Sequence, residues 1–253
     1  MLRTRIIPSL LIQNGELVKT TLFKDPKYVG DPINAIKIFN EKEADEIFLI
    51  DIDATIKNKE PNYELIKRIA AECRMPLSYG GGIKTNDQAL KLISLGVEKV
   101  IVSSAGLYNF NIFEDITNSI GSQSLAICLD VKKQDNNYEI RTHNGSKAYT
   151  KSLFSVIEKV NEINPGELVI NCIDKDGTME GFDISLAVEI KKRISIPLTM
   201  LGGCGSLEDI KKLIINCGEA TGAAAGSFFV FKGKFRAVLI SYPTSEQKNK
   251  FLF

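Results

Sequence analysis

The chain has a single histidine, no CxxC spacing among its five cysteines, almost no net charge and no long apolar run. Each shortage removes a class of function. His143 lies in the polar stretch THNGS, so a histidine-based zinc site or a histidine triad is all but excluded. Cys73, Cys128, Cys172, Cys204 and Cys217 are scattered, four of them in apolar surroundings, which fits buried structural thiols kept reduced. Basic and acidic residues number 32 and 31, so nothing draws the chain to nucleic acid or an anionic membrane. No apolar stretch approaches the roughly 18–20 residues of a membrane span. The basic start MLRTRIIPSL lacks the small-residue cleavage site of a secretory leader. A soluble, cytoplasmic chain is expected, with no metal and no organic cofactor.

What is present is rhythm. Short β-branched runs at 5–11, 46–51, 76–80, 99–104, 125–130, 167–174, 197–202 and 220–226 alternate with segments of helical period. The helical segments lie at 34–44, 63–73, 87–96, 151–163, 185–194 and 207–217. Strands this apolar must be covered on both faces. Eight of them in βα order predict an α/β chain folded as one closed (β/α)8 TIM barrel over residues 1–253. The halves echo each other: DIDAT (51–55) returns as DKDGT (174–178), YGGGI (79–83) as LGGCG (201–205), and VSSAG (102–106) loosely as AAAGS (223–227). Three motifs in matching order predict two half-barrel repeats. In that alignment IIPSLL takes the place of SLAICLD, and Leu11 stands where Asp130 stands.

Barrel chemistry gathers at the carboxyl ends of the strands. Glycine clusters at 80–82 and 202–203 fall there, each followed across the next helix by small residues, Ser103-Ser104 and Ala225-Gly226-Ser227. Bare N–H groups at such turns suit an anion, and twofold repetition predicts two phosphate cradles and an elongated substrate with phosphate at both ends. Glycines also serve tight barrel turns. The strand-end acids Asp51, Asp53, Asp130, Asp174 and Asp176 are either site residues or helix N-caps, and Asp176 before Gly177-Thr178 suits a cap. Asp130 follows only small or apolar residues and is the candidate general acid or base. At the opposite rim Arg5, Glu46, Lys99 and Glu167 open four strands. They are either solvated rim charges or a ring of alternating sign that plugs the barrel axis.

RIIPSLL, LVKT, GDPINA, GGGIKT, GSQS, CLDVK, IDKDGT and LGGCG together resemble the cyclase subunit of imidazole glycerol phosphate synthase, over roughly residues 1–231. The resemblance implies a glutaminase subunit docked at the N-terminal face of the barrel. Ammonia from it would cross the barrel to a bis-phosphorylated ribulosyl-formimino substrate. Carried over by position, Gly82, Ser103 and Ser104 fall on one phosphate site. Gly177, Gly203, Ala225 and Gly226 fall on the other. Lys19 falls in a mobile loop over the substrate, and Arg5, Glu46, Lys99 and Glu167 fall on an ammonia gate. Asp130 falls on one member of an aspartate acid–base pair, and the other member falls on Leu11. The tail 229–253 also departs: RAVLISY reads as strand where the family has a terminal helix. Both departures resemble cyclase-like proteins found with surface-polysaccharide genes, which implies ammonia supplied to a sugar amidotransferase that forms an amidino sugar. Alternatives are a true cyclase of histidine biosynthesis and a non-catalytic scaffold that activates a glutaminase.

Overall fold

A computed structural model describes residues 4–135 and 137–252. The first half contains β1 (Ile6–Gln13), β2 (Glu16–Thr21), β3 (Lys24–Gly30), β4 (Ile47–Asp51), β5 (Leu77–Gly80) and β6 (Lys99–Val102). The second contains β7 (Leu125–Gln134), β8 (Asn137–Thr142), β9 (Lys147–Ala148), β10 (Glu167–Cys172), β11 (Leu198–Leu201) and β12 (Gly222–Ala225). β1, β4, β5, β6, β7, β10, β11 and β12 pair in parallel in that order, and β12 returns to β1. The sheet is closed. This is the (β/α)8 barrel that the βα rhythm predicts.

The helices around it are α1 (Pro32–Glu41), α2 (Tyr63–Glu72), α3 (Asn86–Ser94), α4 (Ser104–Tyr108), α5 (Asn111–Ile120), α6 (Leu153–Ile163), α7 (Ile184–Lys191) and α8 (Leu207–Cys217). Their starts follow local chemistry. Asp31 caps α1 with Pro32 at its first position, and Thr85 with Gln88 forms a reciprocal capping box on α3. Pro76 and Pro197 stand just before β5 and β11, where they give carbonyls to the N–H groups of Ile47 and Leu168.

Alternation along the strands divides the apolar residues into two cores. Ile6, Leu10 and Ile12 of β1 face the helices, with Leu125, Ile127 and Leu129 of β7. Ile7, Phe48, Ile101, Ala126, Val169 and Ala224 fill the barrel interior. On β1 the inward positions run Ile7, Ser9, Leu11; on β7 they run Ala126, Cys128, Asp130. Leu11 and Asp130 thus occupy the same inward layer on two walls of the barrel.

Two strands extend beyond the barrel into hairpins. β1 turns through Asn14-Gly15, both at positive φ, into β2 and then β3; β7 turns into β8 and β9.

The tail corrects the strand reading of RAVLISY. After α9 (Ser227–Val230), only Ala237–Val238 of that run is strand (β14), paired with Phe231–Lys232 (β13), and the chain closes on a helix, α10 (Ser245–Leu252). Pro243 ends the extended run, and Thr244 exchanges hydrogen bonds with Gln247 to start the helix. Tyr242 fastens this tail to the base of the barrel. Its hydroxyl donates to the Ile6 carbonyl (2.9 Å) and accepts from the Asp45 N–H (3.0 Å). Tyr242→Phe leaves both backbone groups without that partner, so urea unfolding should show a loss of ~1–3 kcal/mol. An unchanged midpoint would mean the tail is not fastened there.

Candidate functional site

At the N-terminal end of the barrel the four charges form a closed ring. Arg5 pairs with Glu46 and with Glu167 (2.7 Å); Lys99 pairs with Glu46 (2.6 Å) and Glu167 (2.7 Å). Ser78 donates to Glu46 (2.7 Å), and Thr199 donates to Glu167. The glutamate side chains are 2% exposed, so the carboxylates survive burial only because every side of them meets a donor. Burial alone would raise Glu167, yet Lys99 and Arg5 hold it below its ordinary value. Burial likewise opposes the Arg5 charge, and Glu167 and Glu46 outweigh it. The solvated-rim alternative does not describe these residues; they meet across the axis beneath the apolar interior core.

At the opposite end lies a cavity of about 310 Å³. Its floor is apolar, with Phe48, Ile101, Val169 and Leu201. Above them Leu11, Asp51, Asp130, Asn171 and Asp176 share the wall with Lys19, Ser103, Ser104 and the turn Gly80–Gly82. Gly81 needs its freedom: at φ +119° a Cβ would lie 2.4 Å from the Asp51 carbonyl oxygen.

Asp130 accepts a hydrogen bond from Asn171 Nδ2 (2.8 Å). Burial pushes its carboxyl up to about 6; the Asn171 bond opposes the shift and Asp176 adds to it. A group poised near neutrality suits proton transfer. Because the folded value lies above the ordinary 3.8, the fold retains a proton that the unfolded chain has lost between the two values. Stability contributed by Asp130 is therefore present below that window and falls as pH rises through it. Carbon NMR of the Asp130 carboxyl should show a midpoint near 6, moving higher in Asn171→Leu. A midpoint at the ordinary carboxylate value would contradict this reading.

Asp51 also lines the cavity and is raised by burial, although N–H groups of Asp53 and Ala54 hold one of its oxygens. Asp53 is turned away, tied to Lys57 (2.7 Å) and the Asn14 N–H (3.0 Å). Asp176 is not a helix N-cap; it binds Lys19 (2.7 Å), Thr20 (2.6 Å) and the Phe23 N–H (3.2 Å). Lys19, which the resemblance places in a mobile loop, sits here on β2 and is buried.

Gly82, Ser103 and Ser104 come together on the cavity wall; Gly177, Gly203, Ala225 and Gly226 do not reach it and are buried. The hairpins bring to the cavity residues that belong to none of the sequence motifs. Beyond β8, His143 and Asn144 come over the first-half wall, Asn144 donating to the Ile52 carbonyl (2.7 Å). Their signal was the Asn144-Gly145 turn after the alternating YEIRT. Asn171 and Ser9 carry no sequence signal beyond their inward register. Among the described residues no group of three His, Cys, Asp or Glu side chains could hold a metal, and no helix is long and apolar enough to cross a membrane. All five cysteines are free thiols.

Residues 5–236 match the family described as "Histidine biosynthesis protein". The chain is 51% identical over 250 residues to a Leptospira borgpetersenii protein named "Putative imidazole glycerol phosphate synthase subunit HisF", covering 98% of each chain. A Vibrio vulnificus protein of the same name with the suffix hisF3 is 50% identical, over 100% of this chain and 97% of its own. A Pseudomonas aeruginosa protein with the suffix hisF2 is 48% identical, over 96% and 97%.

Proposed function

The chain belongs to the histidine biosynthesis protein family, and from that membership we propose that it is the ammonia-accepting, cyclase-type subunit of a glutamine amidotransferase. A glutaminase subunit docks on the face that carries Arg5, Glu46, Lys99 and Glu167. A phosphorylated small molecule binds in the opposite cavity, its phosphate against Gly82, Ser103 and Ser104. Neutral ammonia passes the ring and crosses the interior lined by Ile7, Phe48, Ala126 and Ala224, where a charged ammonium would lose too much solvation to follow. At the top it meets Asp130, a carboxyl shifted to about 6 and able to give or take a proton.

Leu11 carries the finer reading. It faces the cavity in the layer of Asp130, where the resemblance calls for the second aspartate, and an alkyl chain moves no proton. The chain is therefore a divergent paralogue that conducts ammonia to an acceptor outside the histidine-pathway cyclisation, the amidino-sugar acceptor being favoured. The histidine-pathway reading draws support from one observation, the raised Asp51 carboxyl on the same wall. A silent scaffold has no use for a buried ring with every charge paired. To test the partner, a glutaminase subunit of this family is mixed with the chain. Glutamine hydrolysis should rise above that of the glutaminase alone and fall back when Arg5→Glu disrupts the docking face. No rise and no complex would remove the amidotransferase reading.

A further inference from the structure

The sequence repeat calls for two equal anion cradles, but the folded chain treats them differently. The first-half turns line the cavity. Of the second-half positions, Gly177 and Gly226 lie beneath the first hairpin. A Cβ on Gly226 would meet Lys19 Cε at 2.6 Å and the Ser9 carbonyl oxygen at 3.1 Å; one on Gly177 would meet the Thr20 carbonyl oxygen at 2.5 Å. Gly203 is covered by Gly181, whose N–H donates to the Gly203 carbonyl at 2.7 Å. The cover is fastened: the Leu22 N–H donates to the Asp176 carbonyl (2.9 Å), Lys19 and Thr20 bind the Asp176 carboxylate, and Arg236 reaches the Gly177 carbonyl (3.0 Å).

Charge tells the same way. A phosphate at the second-half end of the cavity would stand beside Asp176 and Asp130, and Lys19, the cation on that wall, is already paired with Asp176. Besides these paired and acidic groups, what the cavity wall offers at this end is neutral. The Ser9 hydroxyl lines the cavity in a residue only 3% exposed and meets no partner among the described residues. A buried hydroxyl without a partner is costly unless a ligand completes it. Asn171 and Thr20 add neutral polar groups nearby.

Resting on the phosphorylated-ligand reading above, we propose that the cavity takes a phosphomonoester with one phosphate, held at Gly82, Ser103 and Ser104, and a neutral hydrogen-bonding end directed to Ser9. In the second cradle Gly177 and Gly226 have become internal contacts of the first hairpin, and Gly203 is closed off by Gly181.

The test is an amide NMR titration of the full chain with ribose 5-phosphate and with ribulose 1,5-bisphosphate. Both sugars should move the Gly82, Ser103 and Ser104 amides and leave Gly203 and Gly226 in place, with dissociation constants within about threefold of each other. Ser104→Glu should abolish the shifts from both. If the bisphosphate binds more than about thirtyfold tighter and moves Gly203 and Gly226, the one-phosphate proposal is overturned while the phosphorylated-ligand reading stands. If neither sugar moves any of these amides, both fall together.

Discussion

Replacing Lys99 with alanine is expected to uncouple the assembled amidotransferase: glutamine is consumed, and ammonia appears in solution instead of in product. The reason is the geometry of the ring. Lys99 bridges Glu46 at 2.6 Å and Glu167 at 2.7 Å, and with Arg5 it balances two carboxylates that are almost wholly buried. Truncation opens a hole in the plug and leaves one cation against two anions. Glu46 keeps Ser78 and Glu167 keeps Thr199, so the stability loss belongs at the low end for a broken buried pair, ~3 kcal/mol. Lys99→Met, which retains the bulk and loses the charge, separates plugging from pairing. Should Lys99→Ala leave glutamine-to-product coupling unchanged, the conduit through the barrel is wrong.

Leu11→Asp should raise turnover of the ribulosyl-formimino substrate with ammonium by ~10²–10⁴-fold at saturation, the usual worth of a positioned acid or base. The gain belongs in kcat. KM should barely move, because the turn at Gly82 and the serines that follow are untouched. The new carboxylate would stand in the layer of Asp130 and, as a like charge, push the Asp130 carboxyl above its value of about 6. Exchanging a half-buried leucine for an acid should lower stability by ~1–3 kcal/mol. A variant that stays folded, shows the raised Asp130 midpoint and gains no turnover would mean that Leu11 is not what silences the cyclisation.

Much of this was legible in residues 5–226. The barrel follows from eight apolar strands in βα order, but the repeat DIDAT/DKDGT is two residues out of structural register: Asp53 and Asp174 are the equivalent pair, each accepting from a hairpin N–H, of Asn14 and of Lys133. Arg5, Glu46, Lys99 and Glu167 could be named from spacing but not joined, because a ring across an axis is a property of the closed sheet. Hairpins were harder. Asn14-Gly15 is a strong two-residue turn signal, yet β2 is a short run, ELVKTT, that falls outside the eight-strand rhythm. That one miss hid the burial of Lys19, its bond to Asp176 and the covering of Gly177 and Gly226. In the tail, RAVLISY has the composition of a strand, but only Ala237 and Val238 find a strand partner, and TSEQ, a capping signal, begins the last helix.

The most direct measurement mixes the purified chain with ammonium salt and the ribulosyl-formimino substrate and follows imidazole glycerol phosphate by mass. With leucine at position 11 formation should stay ~10²–10⁴-fold below that of Leu11→Asp, although the chain is folded and its ring of charges is intact. Formation of imidazole glycerol phosphate at the rate of Leu11→Asp would contradict the account. It would mean that another acid on the wall, Asp51 foremost, completes the pair with Asp130, and that the chain is a working cyclase of histidine biosynthesis.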